Sequence, residues 1–195
     1  NTAALGGALG FDDEQEVVNL ASTKDAVVTL YAQWVEKEAI PIQYNCGDPD
    51  HGSVDTAMEM LAPATGSAEG SCAFALTGYH VKEWRDRSGV VVGSDDRFCP
   101  TREPDELWQA SRYVAIIEPN AYRVAYHPDG GSGAMEDSWL RYDEESNLAP
   151  NRFLRPGWRM VGWTDEEGTV YADEEAVLNL TDEDGGIVDL YALWE

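Results

Sequence analysis

The chain has 195 residues, with 37 Asp and Glu against 13 Lys and Arg, a formal net charge of −24 at neutral pH. That balance argues against a nucleic-acid partner, because phosphate binding needs a basic footprint, and against adhesion to an anionic membrane by charge, while it leaves room for cations such as Ca2+. A hydrophobic content of 43% with seven Trp excludes simple disorder, and no run of eighteen apolar residues is present to insert into a membrane.

Residues 1–36 read as the back half of a module, so the chain opens inside a patterned stretch and reads as a piece of a longer protein. Residues 17–21 (VVNLA) echo residues 177–181 (VLNLT). Residues 26–34 are expected to form a strand: Val28, Leu30, Ala32 and Trp34 share one face, Val27, Thr29, Tyr31 and Gln33 the other. This half-module is expected to pack on the next module or to pair with another copy of the chain. Residues 36–39 make a first linker. A short strand follows at 40–44, a chain reversal at 48–52 (DPDHG), and a strand or short helix at 54–60. Strands are expected at 71–76 and 79–84, a turn at 85–89 and a short strand at 90–92. Residues 103–109 are the helix candidate, with Pro104 suited to a first turn and Asp105 and Glu106 beside it. Residues 112–117 close this module, and 118–120 form a second linker.

In the last module Tyr122, Val124 and Tyr126 alternate with Arg123, Ala125 and His127, a half-buried strand. Residues 128–133 (PDGGSG) signal a tight hairpin, with 134–142 as the returning partner. A strand at 157–163, a turn at 164–168 (TDEEG), a turn of helix within 174–181 and a turn at 182–186 (DEDGG) lead to the last strand. The expected fold class is therefore mainly β: small modules of mostly antiparallel strands with little helix.

Two near copies organise this layout. Residues 190–194 (LYALW) repeat 30–34 (LYAQW) at a shift of 160 (190 − 30). Residues 157–163 (GWRMVGW) match 78–84 (GYHVKEW) at a shift of 79 (157 − 78). One shift is about twice the other, the mark of an internal repeat near eighty residues. The divisions that follow are a C-terminal half-module at 1–36, a divergent module at 39–118 and a complete module at 121–195. In the GYxxxxW pattern the aromatic and the Trp lie five apart, on opposite faces of a regular strand. Either that strand is covered on both faces or a bulge intervenes.

The residues of the last module carry a resemblance. Tyr122 to Tyr126 precede the Asp129-Gly130-Gly131 turn, followed by Gly133-Ala134-Met135, Phe153-x-Arg155-Pro156-Gly157-Trp158, Gly162-Trp163-Thr164, Gly168 with Tyr171, Val177-x-Asn179-Leu180-Thr181 and Val188-x-Leu190-Tyr191-Ala192-Leu193-Trp194. In order and spacing these resemble the Listeria–Bacteroides repeat, the InlB B-repeat family of bacterial surface proteins. Residues 16–34 match the end of the same pattern. Residues 39–118 match it loosely, through Gly52-Ser53-Val54, Gly78-Tyr79, Trp84, Gly89 and Tyr113. The resemblance implies β-grasp-like modules strung in tandem on a cell-surface or secreted protein, extracellular, serving as spacers or adhesion modules. It brings no catalytic residue and no cofactor. Implied partners are a host or neighbouring-cell surface protein or a glycan.

Among chemistry-bearing residues, Asp165, Glu166 and Glu167, then Asp182, Glu183 and Asp184, and finally Asp48 with Asp50 are candidate Ca2+ ligands without EF-hand spacing; solvated turns are the simpler explanation. His51 lies in a turn, His80 and His127 on strands, and no His pair has ligand spacing. Cys46, Cys72 and Cys99 form no CxxC; one disulfide with a spare thiol and three isolated thiols both fit. Trp34, Trp84, Trp163 and Trp194 fall at repeat-defining places and read as core or inter-module contacts. Trp108, Trp139 and Trp158 are less constrained, and are the aromatics that an exposed glycan- or protein-binding surface would use. The short linkers predict limited bending between modules.

Overall fold

The computed structural model describes residues 10–104 and 106–195. It contains fifteen strands and, among the described residues, no helix. The strands are β1 Ile40–Cys46, β2 Gly52–Val54, β3 Met58–Leu61, β4 Ser71–Ala75, β5 Tyr79–Arg85, β6 Val91–Gly93, β7 Arg97–Phe98, β8 Ser111–Pro119, β9 Ala121–His127, β10 Ser138–Arg141, β11 Ser146–Asn147, β12 Met160–Thr164, β13 Val170–Tyr171, β14 Ala176–Val177 and β15 Ile187–Trp194. The mainly-β class expected from the sequence is what the chain adopts.

Two five-stranded sheets carry the architecture, in the orders β3-β1-β8-β5-β6 and β10-β9-β15-β12-β13. The orders are the same. In each, the first strand of the unit lies parallel to the last, side by side at the centre, and the remaining pairings are antiparallel. This is a β-grasp-like sheet without a helix across it. Short sheets, β2-β4-β7 and β11-β14, cover one face instead.

The cores are built around one Trp each. Trp84 and Trp163 are both fully buried. Trp84 sits opposite Ala115 on the closing strand, and Trp163 opposite Ala192. Both alanines are fully buried, and a small residue there leaves the indole its space. Tyr44 meets Trp84 edge to face at 6.2 Å, and Tyr126 packs tilted on Trp163 at 5.0 Å. Matching these partners places Tyr113-Val114-Ala115-Ile116-Ile117 where the second unit has Leu190-Tyr191-Ala192-Leu193-Trp194. The first unit therefore has a closing pentad whose letters hide the likeness.

A bulge resolves the spacing in GYxxxxW. The register of β5 on β8 shifts between Val81 and Glu83, and that of β12 on β15 between Met160 and Gly162. Lys82 and Val161 are the extra residues. Each insertion turns the strand by one position, so that Val81 and Trp84 share the core face, as do Met160 and Trp163.

Four expectations fail, for local reasons. Residues 26–34 form no strand: every residue from 12 to 39 is exposed, and no neighbouring strand offers a ladder. Residues 103–104 and 106–109 form no helix, because the Trp108 backbone NH is donated to Pro63 O (2.8 Å) and its indole NH to Gly66 O (2.8 Å). These bonds lay the segment along residues 63–66. Within 174–181 the chain makes β14 against β11 instead of a helical turn. After the Pro128–Gly131 turn the chain does not return at once: Ser132 bridges to Leu154, and the partner strand begins only at Ser138. The undecided stretch 54–60 divides between β2 and β3.

Truncating Trp163 to Ala should cost about 3–5 kcal/mol of stability, whereas Trp139→Ala should stay within roughly 0.5 kcal/mol. Urea denaturation followed by far-UV circular dichroism checks both; equal effects would contradict the core placement.

Candidate functional site

The three tryptophans singled out by sequence are not brought together. Trp108 is half-buried against the first core, with Arg102 over its ring at 5.8 Å. Trp139 is 68% exposed on β10, an edge strand, opposite Arg123. Trp158 is 52% exposed just before β12.

Trp108 lines an open groove of about 400 Å3 with Ala68, Pro100 and Pro104; the groove at Trp158 adds further aromatic rings. The turn beneath it is built by Arg155-Pro156-Gly157-Trp158, closed by Trp158 N donating to Arg155 O (3.0 Å). Proline presets the first central position, and Gly157, at φ +81°, supplies the left-handed one. The Arg155 guanidinium stacks over the Trp158 ring at 4.3 Å. Phe153, Leu154, Met160 and Trp194 complete an open groove of about 390 Å3. The Trp194 indole NH is donated to Pro128 O (2.9 Å), which fixes its ring at one wall. An indole face, a stacked guanidinium and a 73% exposed Leu154 form an amphipathic surface suited to a planar or ring-shaped ligand.

A second constellation, not found from sequence, joins the two sheets. Asn120 is the single residue between β8 and β9, and it is buried. All four of its polar groups are used. Its backbone NH donates to Gly78 O (2.8 Å) and its carbonyl accepts from Tyr142 N (2.9 Å). Its side chain accepts from His80 Nδ1 (2.9 Å) and donates to Asp182 O (2.6 Å). Beside it, Tyr79 donates from Oη to Asp143 Oδ2 (2.9 Å) and packs edge-on against Tyr142 at 6.0 Å. His51 stacks on the other side of Tyr79 at 4.2 Å. Gly78 sits at φ +80° directly against the Tyr142 ring, where a side chain would collide. The sequence signal was the Pro119-Asn120 pair, read only as a linker.

The Asp143 carboxyl is held below its ordinary range, first by the Asn179 side-chain amide and then by Tyr79. The Tyr79 hydroxyl is pushed up to about 12, by burial first and then by Asp143.

Three of the carboxylates considered for Ca2+ accept hydrogen bonds from the chain. Asp165 accepts from Thr169 N (2.7 Å) and Tyr171 Oη (3.1 Å), Asp184 from Ala121 N (3.0 Å), and Asp48 from His51 Nδ1 (2.8 Å). Among the described residues no group of three or more His, Cys, Asp or Glu is placed to hold a metal ion. Cys46, Cys72 and Cys99 are all free thiols, Cys99 exposed. Of the two arrangements the sequence left open, the chain has three separate thiols.

No protein-family model matches the chain, and no curated protein matches it.

Two outcomes test the joint. Asn120→Ala removes the two side-chain bonds, to His80 Nδ1 and Asp182 O, at about 1–3 kcal/mol together, and should broaden the relative orientation of the sheets while each core stays folded, as read by residual dipolar couplings. Acid should act through Asp143. Its folded value is the lower one, so the contact contributes fully above the ordinary carboxylate range and is lost as pH falls through the depressed value. Tyr79→Phe should move the Asp143 titration upward, toward that of a free carboxyl, in carbon-detected NMR; an unmoved titration would contradict the contact.

Proposed function

We propose that the chain is a non-catalytic, tandem-repeat stretch of a bacterial surface protein, working outside the cell as a load-bearing spacer. The observation that carries this reading is the central position of the first and last strands. In each unit they are adjacent and parallel, through five register pairs in β1–β8 and five in β9–β15. A pull on the two ends of a unit then runs along these strands in opposite directions. The ladder is loaded in shear, with its hydrogen bonds sharing the force, where a hairpin pulled at its ends opens one bond at a time. The single-residue connection at Asn120 supports the same reading, because it leaves little slack between units. So does the likeness of the closing residues to the Listeria–Bacteroides repeat pattern. An acidic surface, with −24 net charge, keeps neighbouring copies apart.

A second reading is favoured by the groove at Trp158. There the chain holds a glycan or a protein partner at a host or neighbouring-cell surface, through Trp158, Arg155 and Leu154.

Single-molecule pulling from the two ends tests the first reading. Two unfolding steps are expected, each releasing roughly 25 nm for about 80 residues at ~3.5 Å apiece, at forces well above those of unzipping. Smooth extension without steps would overturn it. Glycan-array binding that is abolished by Trp158→Ala, with both unfolding steps intact, would favour the second reading.

A further inference from the structure

Residues 12–39 carry a run of exposed large apolar side chains. Val27 is 91% exposed, Leu30 52%, Trp34 90% and Val35 94%. Four residues with large apolar side chains so close together in solvent call for a partner.

The backbone of this segment is not arbitrary. Shifted by 160 positions it copies residues 172–194 feature by feature. Three residues other than glycine hold left-handed backbones in 12–26: Glu14 (φ 57°), Asn19 (φ 56°) and Asp25 (φ 61°). Their counterparts are Glu174 (φ 56°), Asn179 (φ 54°) and Gly185 (φ 70°). The turn bonds correspond as well. Gln15 N donates to Asp12 O (3.3 Å) as Glu175 N does to Ala172 O (3.3 Å), and Ala26 N to Thr23 O (3.3 Å) as Gly186 N does to Glu183 O (3.2 Å). Even the side-chain cap recurs: Asp12 N donates to Gln15 Oε1 (2.8 Å), and Ala172 N to Glu175 Oε2 (2.5 Å).

The second copy shows what covers such a segment. β14 pairs with β11, and β15 lies between β9 and β12. Leu190 and Ala192 are fully buried there, and Val177 nearly so. Leu30, Ala32 and Val17 stand at the same places with nothing over them.

We infer that residues 12–35 are a preformed closing half-module, and that their partner is the front half of a repeat of the same kind. That partner is a polypeptide with the character of residues 121–171, which takes residues 27–34 between its first and fourth strands, as β15 lies between β9 and β12. The inference rests on the tandem-repeat reading above. A second copy of this chain fits poorly as the source. Its two front halves already hold β8 and β15, and two chains of −24 repel. The segment is also leashed in place. The Glu36 carboxylate accepts from Ala64 N (2.5 Å), Thr65 N (2.9 Å) and Thr65 Oγ1 (2.7 Å) of the first unit, which sets a completed module directly against it.

The test uses the front half that the chain already folds. In the full chain, residues 172–195 are replaced by residues 12–35, and amide hydrogen exchange is compared with the parent protein. The second unit is expected to stay closed: amides of β9 and β12 keep at least 100-fold protection, and the grafted 28–34 sequence acquires it. The same graft carrying Ala32→Glu, a charge where Ala192 meets Trp163, should lose that protection. Free exchange of the second unit in the unmodified graft, with the first unit still protected, would overturn the inference. So would a parent chain of twice the expected mass in light scattering whose residues 27–34 are protected, because the partner would then be a second copy. Neither result touches the two pulling steps, so the spacer reading stands or falls separately.

Discussion

Each sheet is held shut by the parallel pairing of its first strand with its last. Every other ladder in a unit is antiparallel and joins neighbours on one side of that pair or the other. Without the closing strand, β9 and β10 would be separated from β12 and β13, and Trp163 would lose Ala192 from its core. The same holds for β8 and Trp84. The closing strand thus unites two half-sheets and one half of the core. The residue the two closing strands share is the alanine, Ala115 against Trp84 and Ala192 against Trp163, where size is fixed by the indole.

The sequence was legible where side-chain size alone decides. The tryptophans at 84 and 163 lie in the cores, and the Gly–aromatic spacing does contain a bulge, whereas Trp34, expected as a core or inter-module contact on the same grounds, is 90% exposed because no strand of the described residues lies beside it. It was less legible where a pattern needs a partner. Residues 26–34 alternate as a strand should, but alternation describes a face and supplies no neighbour to bond with. At 103–109 the helical signals of Pro104 and the following acids yield to two hydrogen bonds from Trp108 to the loop at 63–66. Asn120 was hidden for another reason. A buried hub residue in a one-residue connection has no periodicity to reveal it, and its four partners lie far apart in sequence. The first unit's closing pentad escaped because Tyr113 and Ile117 fill the places of Leu190 and Trp194 with different shapes.

The joint shows how an acidic chain attaches one part to another. Its carboxylates, Asp143 and Asp184, face hydroxyl, amide and imidazole groups, and among the described residues no Lys or Arg bonds to either. Hydrogen bonds to an ionised carboxylate are short-ranged and depend little on dissolved salt, in contrast to ion pairs in the open. The general repulsion of the surface and the local attraction at Asn120 and Tyr79 therefore act on different scales.

The position of the closing strand at the end of each unit has a consequence for how the chain is made. Synthesis delivers β9, β10, β12 and β13 first, as two half-sheets whose central gap can be filled only by the final residues of the unit. Such long-range parallel closure is intrinsically slow, and it cannot be completed before Tyr191 has emerged. Until that moment Tyr122, Phe153 and Trp163 lack their final cover. A growing or threading chain therefore stays pliable one unit at a time and stiffens from its leading end, each unit locking as its last strand arrives.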